Sequence, residues 1–148
     1  MTDKKIAIGA DHAGFELKEK IKSFLNDQGY EITDFGTNST DSVDYPLIAK
    51  ALATSVAAKN PPKGILICGT GVGMSIAANK IKGIIAAHCC DIETAKLARQ
   101  HNNSNVLAIG GRITDTENAK EIVKAWLTTD FEGGRHQRRI QEIRDLEK

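Results

Sequence analysis

Five short runs, Lys5-Ile-Ala-Ile-Gly9, Tyr30 to Phe35, Gly64-Ile-Leu-Ile-Cys68, Gly83 to His88 and Val106-Leu-Ala-Ile-Gly110, alternate with longer segments of helical periodicity. Most are apolar almost throughout rather than at every second residue, the pattern of strands covered on both faces. Strands separated by helices become sheet neighbours by running parallel, because each helix returns the chain to the starting edge. An α/β fold is therefore predicted, three-layer α/β/α, on a five-stranded parallel sheet.

The intervening segments carry helix signals of their own. Phe15, Leu17, Ile21, Phe24 and Leu25 recur at helical spacing until Gly29. Asp44-Tyr45-Pro46 resembles a cap with proline in the first turn, and Leu47, Ile48, Ala51, Leu52 and Val56 supply an apolar face ended by Asn60-Pro61-Pro62. A short helix is predicted near Ser75 to Lys80 and a longer one from Asp91 to Gln100. Thr114-x-x-Glu117 reads as a capping box opening a helix with Ala119, Ile122, Val123, Trp126 and Leu127 inward. Beyond Phe131-Glu-Gly-Gly134 lies an extra C-terminal helix.

At 148 residues the chain suits a single domain over 1–148. Its 20 Lys and Arg against 19 Asp and Glu leave a formal charge of +1, so neither nucleic acid nor an anionic membrane is an expected partner. No stretch approaches the ~20 apolar residues of a membrane span. The three cysteines, Cys68, Cys89 and Cys90, form no CxxC pair or even framework, which suits reduced thiols and a cytoplasmic location.

In parallel sheets, ligands collect beyond the carboxyl ends of strands, where backbone amides are unpaired. The first run ends in Gly9-Ala-Asp11-His12-Ala-Gly14, a carboxylate and an imidazole at a helix start. A plain cap also explains Asp11. The third ends in Cys68-Gly69-Thr70-Gly71-Val72-Gly73, where alternating glycines let amides turn toward an anion, and such a setting favours thiolate over thiol. A tight turn after a buried cysteine is the plainer alternative. Arg99-Gln100-His101-Asn102 precedes the fifth run, and Arg112 follows it. On the last helix Arg135 and Arg139 share a stripe with Ile143 and Leu146, so two guanidiniums are expected inward, facing a dianion or internal carboxylates. His88, Cys89 and Cys90 read as packing at a strand end.

Together, Gly9-Ala-Asp-His-Ala-Gly14, Asp44-Tyr-Pro46, Ile67-Cys-Gly-Thr-Gly-Val-Gly73 with Ala77-Ala-Asn-Lys80, Arg99-Gln-His-Asn102 and Glu132-Gly-Gly-Arg-His-Gln137 resemble ribose-5-phosphate isomerase type B along almost the whole chain. The resemblance implies a Rossmann-like fold and a homodimer whose active sites lie at the subunit interface. It also implies a small sugar phosphate as substrate and no cofactor. It gives Cys68 the role of base and His101 that of ring-opening acid or base. Asp11, His12, Tyr45, Gly69, Thr70, Gly71, Val72, Gly73 and Asn102 become substrate contacts, and Arg112, Arg135 and Arg139 phosphate-binding residues. One branch of the family carries glycine in place of Cys68 and a glutamate base in place of Met74, so this chain falls in the cysteine branch.

Proton transfer between O1 and O2 assisted by Thr70 completes the expected reaction. His12, His88, His101 and His136 show no metal-ligand spacing in sequence, so no metal is expected. A dinucleotide fold fits poorly, since the third glycine of Gly69-x-Gly71-x-Gly73 comes one residue early. Met74 stands where a cysteine phosphatase needs arginine, and no lysine follows the glycines as a P-loop demands. Six-carbon sugar phosphates as substrates, or a non-catalytic sugar-phosphate-binding module, remain the alternatives.

Overall fold

In the computed structural model, residues 4–147 are described; 1–3 and 148, the ends of the expected 1–148 domain, lie outside them. The elements run β1 (Lys5–Ala10), α1 (Phe15–Asp27), β2 (Glu31–Asp34), α2 (Tyr45–Ala57), β3 (Gly64–Cys68), α3 (Val72–Ala78), β4 (Ala86–His88), α4 (Ile92–Gln100), β5 (Val106–Gly110), α5 (Thr116–Thr128) and α6 (Arg135–Asp145). All five strands pair in parallel, in the order β2-β1-β3-β5-β4. The expected three-layer α/β architecture is what the chain adopts.

Every residue of β3 and β5 is buried, and so is all of β1 except Lys5. Side chains alternate across a strand, so the sheet feeds two cores. Ile6, Ile8, Ile65, Ile67, Leu107 and Ile109 pack with α1, α4 and α5, whereas Ala7, Leu66, Cys68, Val106 and Ala108 pack with α2 and α3. Trp126 of α5 is fully buried, and its indole N–H donates to Ser104 Oγ at 2.8 Å.

Several boundaries moved. Gly71 takes a left-handed φ of 87°, so α3 begins at Val72, three residues ahead of the expected Ser75. Gly83 to Ile85 stay outside β4 because the Ile85 amide donates to the side chain of Asn105 at 2.8 Å instead of to a strand. The expected cap at Thr114 is displaced by Asp115, whose carboxylate accepts the Asn118 amide at 2.8 Å while Thr114 is buried. Asp44 precedes α2 in extended conformation without a side-chain cap, leaving Pro46 in the first turn as the start signal.

One charge is wholly enclosed. Lys18, on the buried face of α1, reaches Asp34 at the end of β2 at 2.6 Å, and Lys22 joins the same carboxylate at 2.8 Å. Burial pushes the Asp34 carboxyl upward, but hydrogen bonds from Lys18, Lys22 and the Gly36 amide outweigh it and hold it below the usual carboxylate range. The stability this group contributes is therefore present above its unfolded value and is lost as pH falls through the lowered one. Without Asp34 the buried Lys18 keeps only the exposed Glu19, at 3.0 Å, so Asp34→Asn should cost about 2 kcal/mol in chemical denaturation at pH 7, and less at pH 3.

Candidate active site

The strand order reverses between β1 and β3: α1 leaves β1 toward one face, and α3 leaves β3 toward the other. The crevice between their carboxyl ends is where such sheets bind ligands. Asp11 and His12 follow β1 there, and Cys68 closes β3. Asp11 Oδ1 accepts the Ala13 and Gly14 amides at 3.0 Å each, so the carboxylate does cap its own turn. His12 Nδ1 accepts the Val43 amide at 3.2 Å, which places the proton of the neutral ring on Nε2 and offers it as a donor.

Cys68 is 5 % exposed, and its sulfur accepts the Gly71 amide at 3.1 Å. Thr70 Oγ1 accepts the Val72 amide at 3.2 Å. Two amides of the glycine run are thus already engaged, one on the sulfur itself. Neighbouring loops close on this turn. The Gly111 amide donates to Cys68 O at 2.7 Å and the Arg112 amide to Gly69 O at 3.0 Å. The Arg112 guanidinium lies over Gly69, where an added Cβ would stand 3.4 Å from Nη1. A Cβ at Gly73 would meet the Tyr45 ring at 2.7 Å, and one at Gly14 would meet Ile67 O at 2.5 Å. Backbone approach this close is what the glycines permit.

His101, Asn102, Arg135 and Arg139 are elsewhere. α4 returns the chain from the end of β4 to the start of β5, so His101 and Asn102 lie at the amino ends of the strands. A five-residue strand spans roughly 15 Å, which separates them from Cys68 in one chain. The expectation that all the motifs share the carboxyl edge is corrected accordingly. Arg99, buried just before them, ties α4 to the end of α5 by donating to Thr129 O at 3.2 Å and Asn103 Oδ1 at 3.0 Å.

The inward stripe on α6 is also corrected. The helix turns His136 and Ile140 inward, while Arg135 and Arg139 are exposed and Leu146 is 83 % exposed. Its apolar contacts are offset by one residue from the 135/139 pattern because the buried face starts at the second helical position after Gly134. At the same end, the His101 and His136 rings stack with centroids 4.3 Å apart, and Glu132 Oε1 lies 3.9 Å from His101 Nε2 and 3.7 Å from His136 Nε2. Within Glu132-Gly-Gly-Arg-His-Gln137, the four-residue spacing of Glu132 and His136 is the sequence signal of this group, but its third member, His101, is remote in sequence.

Of the strand-end cysteines, Cys89 is buried as expected. Burial first, then Asp91 and Cys90, push its thiol up to about 12. Cys90 differs from the packing expectation: it is exposed, with its sulfur 3.7 Å from His88 Nε2.

The family model described as Ribose/Galactose Isomerase matches residues 6–143. Ribose-5-phosphate isomerase B of Escherichia coli (strain K12) is 52 % identical over 145 residues, covering 98 % of this chain and 97 % of that protein. The solved ribose-5-phosphate isomerase B of Clostridium thermocellum superposes with a TM-score of 0.95 at 47 % identity, covering 97 % of each chain. That of Mycoplasma genitalium, solved with bound ribulose-5-phosphate, superposes with a TM-score of 0.94 at 43 % identity, covering 99 % of this chain and 98 % of that one. With sheet order, crevice and sequence all in agreement, the chain belongs to the ribose/galactose isomerase family.

Proposed function

We propose that this chain, as one domain over 1–148, interconverts D-ribose 5-phosphate and D-ribulose 5-phosphate through a cis-enediolate, without metal or cofactor. The observation that carries the reading is the Cys68 sulfur, held by the Gly71 amide in a glycine turn at the sheet's switch point. As a thiolate, the sulfur so placed takes the C2 proton of the open aldehyde, becoming the thiol, and returns that proton at C1. The developing negative oxygen needs donors already in position. With the Gly71 and Val72 amides engaged, that role falls to the neighbouring amides of the Gly69–Gly73 turn. Thr70 Oγ1 accepts from Val72, so its own hydroxyl proton is free to pass between O1 and O2.

Pentose phosphates rest largely as closed rings, and His101 is the proposed group that opens them. Because His101 lies at the opposite sheet end, a complete site draws it from a second copy, together with Asn102, Arg135 and Arg139. Two exposed arginines four residues apart suit a phosphate dianion, which Arg112 meets from the Cys68 side. Asp11, His12 and Tyr45 line the sugar. Exposed Tyr45, Leu47, Val72 and Ile76 sit on α2 and α3, which pack together, and provide an apolar surface for the partner. A homodimer in the cytoplasm is therefore proposed. None of the three cysteines is paired, which suits a reducing compartment, and among the described residues no helix is long and apolar enough to cross a membrane.

Ribulose 5-phosphate formation from ribose 5-phosphate, compared with the rates on allose 6-phosphate and galactose 6-phosphate, tests the substrate. No turnover of any of them would leave a binding module. Cys68→Ala should lower kcat by at least ~10³-fold while ribose 5-phosphate still binds in calorimetry. Arg135→Ala should raise the Michaelis constant by ~10-fold with kcat little changed. Co-expressed Cys68→Ala and His101→Asn chains should recover about a quarter of wild-type activity, because half the dimers are mixed and each mixed dimer has one intact site. Activity no higher than that of either variant alone would contradict the shared site.

A further inference from the structure

We propose that Glu132 and His136 are positioning residues for His101, holding its imidazole at the angle that ring opening requires. The proposal rests on the ring-opening role given to His101 above.

His101 occupies the C-cap of α4, where its side chain is 40 % exposed. Left alone, such a ring would sample several rotamers. Three features restrict it. The Glu132 amide donates to Gln100 O at 3.0 Å, which docks the Phe131–Gly134 segment against the residue preceding His101. His136, in the first turn of α6, is buried beside that segment and provides a packed floor. The two rings stack on it nearly parallel, at 15°. One oxygen of Glu132 then faces the Nε2 edge of both rings, at 3.9 and 3.7 Å.

The charges favour the same division of labour. Burial, then His101, Arg135 and Arg139, hold His136 below its ordinary range, with Glu132 pulling the other way. His136 is therefore the neutral platform, and the proposed ring-opening role stays with the more exposed His101. The trio also offers three possible metal-ligand atoms within 4.8 Å of one another. Near-parallel rings, however, set their lone pairs side by side rather than converging on a point, and two guanidiniums act on the same spot. The arrangement suits orientation of a ring better than capture of a cation.

A displacement of about 1 Å in a reacting group costs up to ~10²-fold in rate. His136→Ala should therefore lower kcat on ribose 5-phosphate by ~10-fold with the Michaelis constant within about twofold, and Glu132→Gln by ~5-fold. His136→Phe keeps a flat ring and should restore kcat to within about threefold of wild type. His101→Asn should lose ~10²-fold or more, and adding His136→Ala to it should cost nothing further, because the two act through one group. Wild-type kcat in both His136→Ala and Glu132→Gln overturns the positioning role. So does a His136→Phe enzyme as slow as His136→Ala, or a double variant slower than His101→Asn by the full product. If His136→Ala does not fold, Glu132→Gln and His136→Phe carry the test. Wild-type turnover by His101→Asn would instead remove the ring-opening role itself.

Discussion

β1 and β3 are hydrogen-bonded neighbours whose following helices depart to opposite faces of the sheet, so neither helix covers the gap between their carboxyl ends. Everything at the candidate site depends on that gap. It brings Asp11 and His12 beside Cys68 across more than fifty residues of chain. It also requires loops that interlock without side chains, which is why Gly14, Gly69, Gly73 and Gly111 occur where backbone meets backbone or a neighbouring side chain. A sheet with β1 and β3 apart would scatter the same motifs.

The cysteine sulfur illustrates how local geometry sets up the proposed chemistry. At the end of a fully buried strand it would be an inert packing group, as Cys89 is. The left-handed turn at Gly71 swings an amide N–H onto Sγ, so the last strand residue becomes the first residue of a turn rich in backbone donors. The same turn starts α3, and that helix seals the second core through Met74 and Ala78. Site and core are therefore built by one backbone event.

The polarity of the sheet explains the proposed sharing of sites between copies. Helices in a parallel sheet carry the chain back to the amino edge, so every residue following such a helix begins at the wrong end for chemistry at the crevice. His101 and Asn102 follow α4, and Arg135 and Arg139 follow α5. One copy can supply the sulfur edge and another the imidazole and guanidinium edge, with the exposed apolar residues of α2 and α3 available between them. The enclosed Lys18–Asp34 pair, by contrast, belongs to the framework: it locks α1 to the end of β2 and leaves the crevice to other groups.

The fold was legible because burial on both faces writes an unbroken apolar run, and β3 and β5 were read to the residue. The glycine turn and its cysteine were legible because backbone conformation is a local property. The capping residue of α5 and the outward face of Arg135 and Arg139 were not, since each depends on a single-residue offset that a period of 3.6 cannot resolve, and the start of α3 was not, since the left-handed Gly71 opens that helix three residues early. Nor could spacing reveal the His101–Glu132–His136 group, which forms only when α6 folds back against the end of α4. The sequence by itself determined which segments are strands and helices and which residues can carry chemistry, because periodicity and side-chain type are local. Only the tertiary structure decided which of those residues meet and at which end of the sheet, because contacts between distant segments depend on strand order and chain direction.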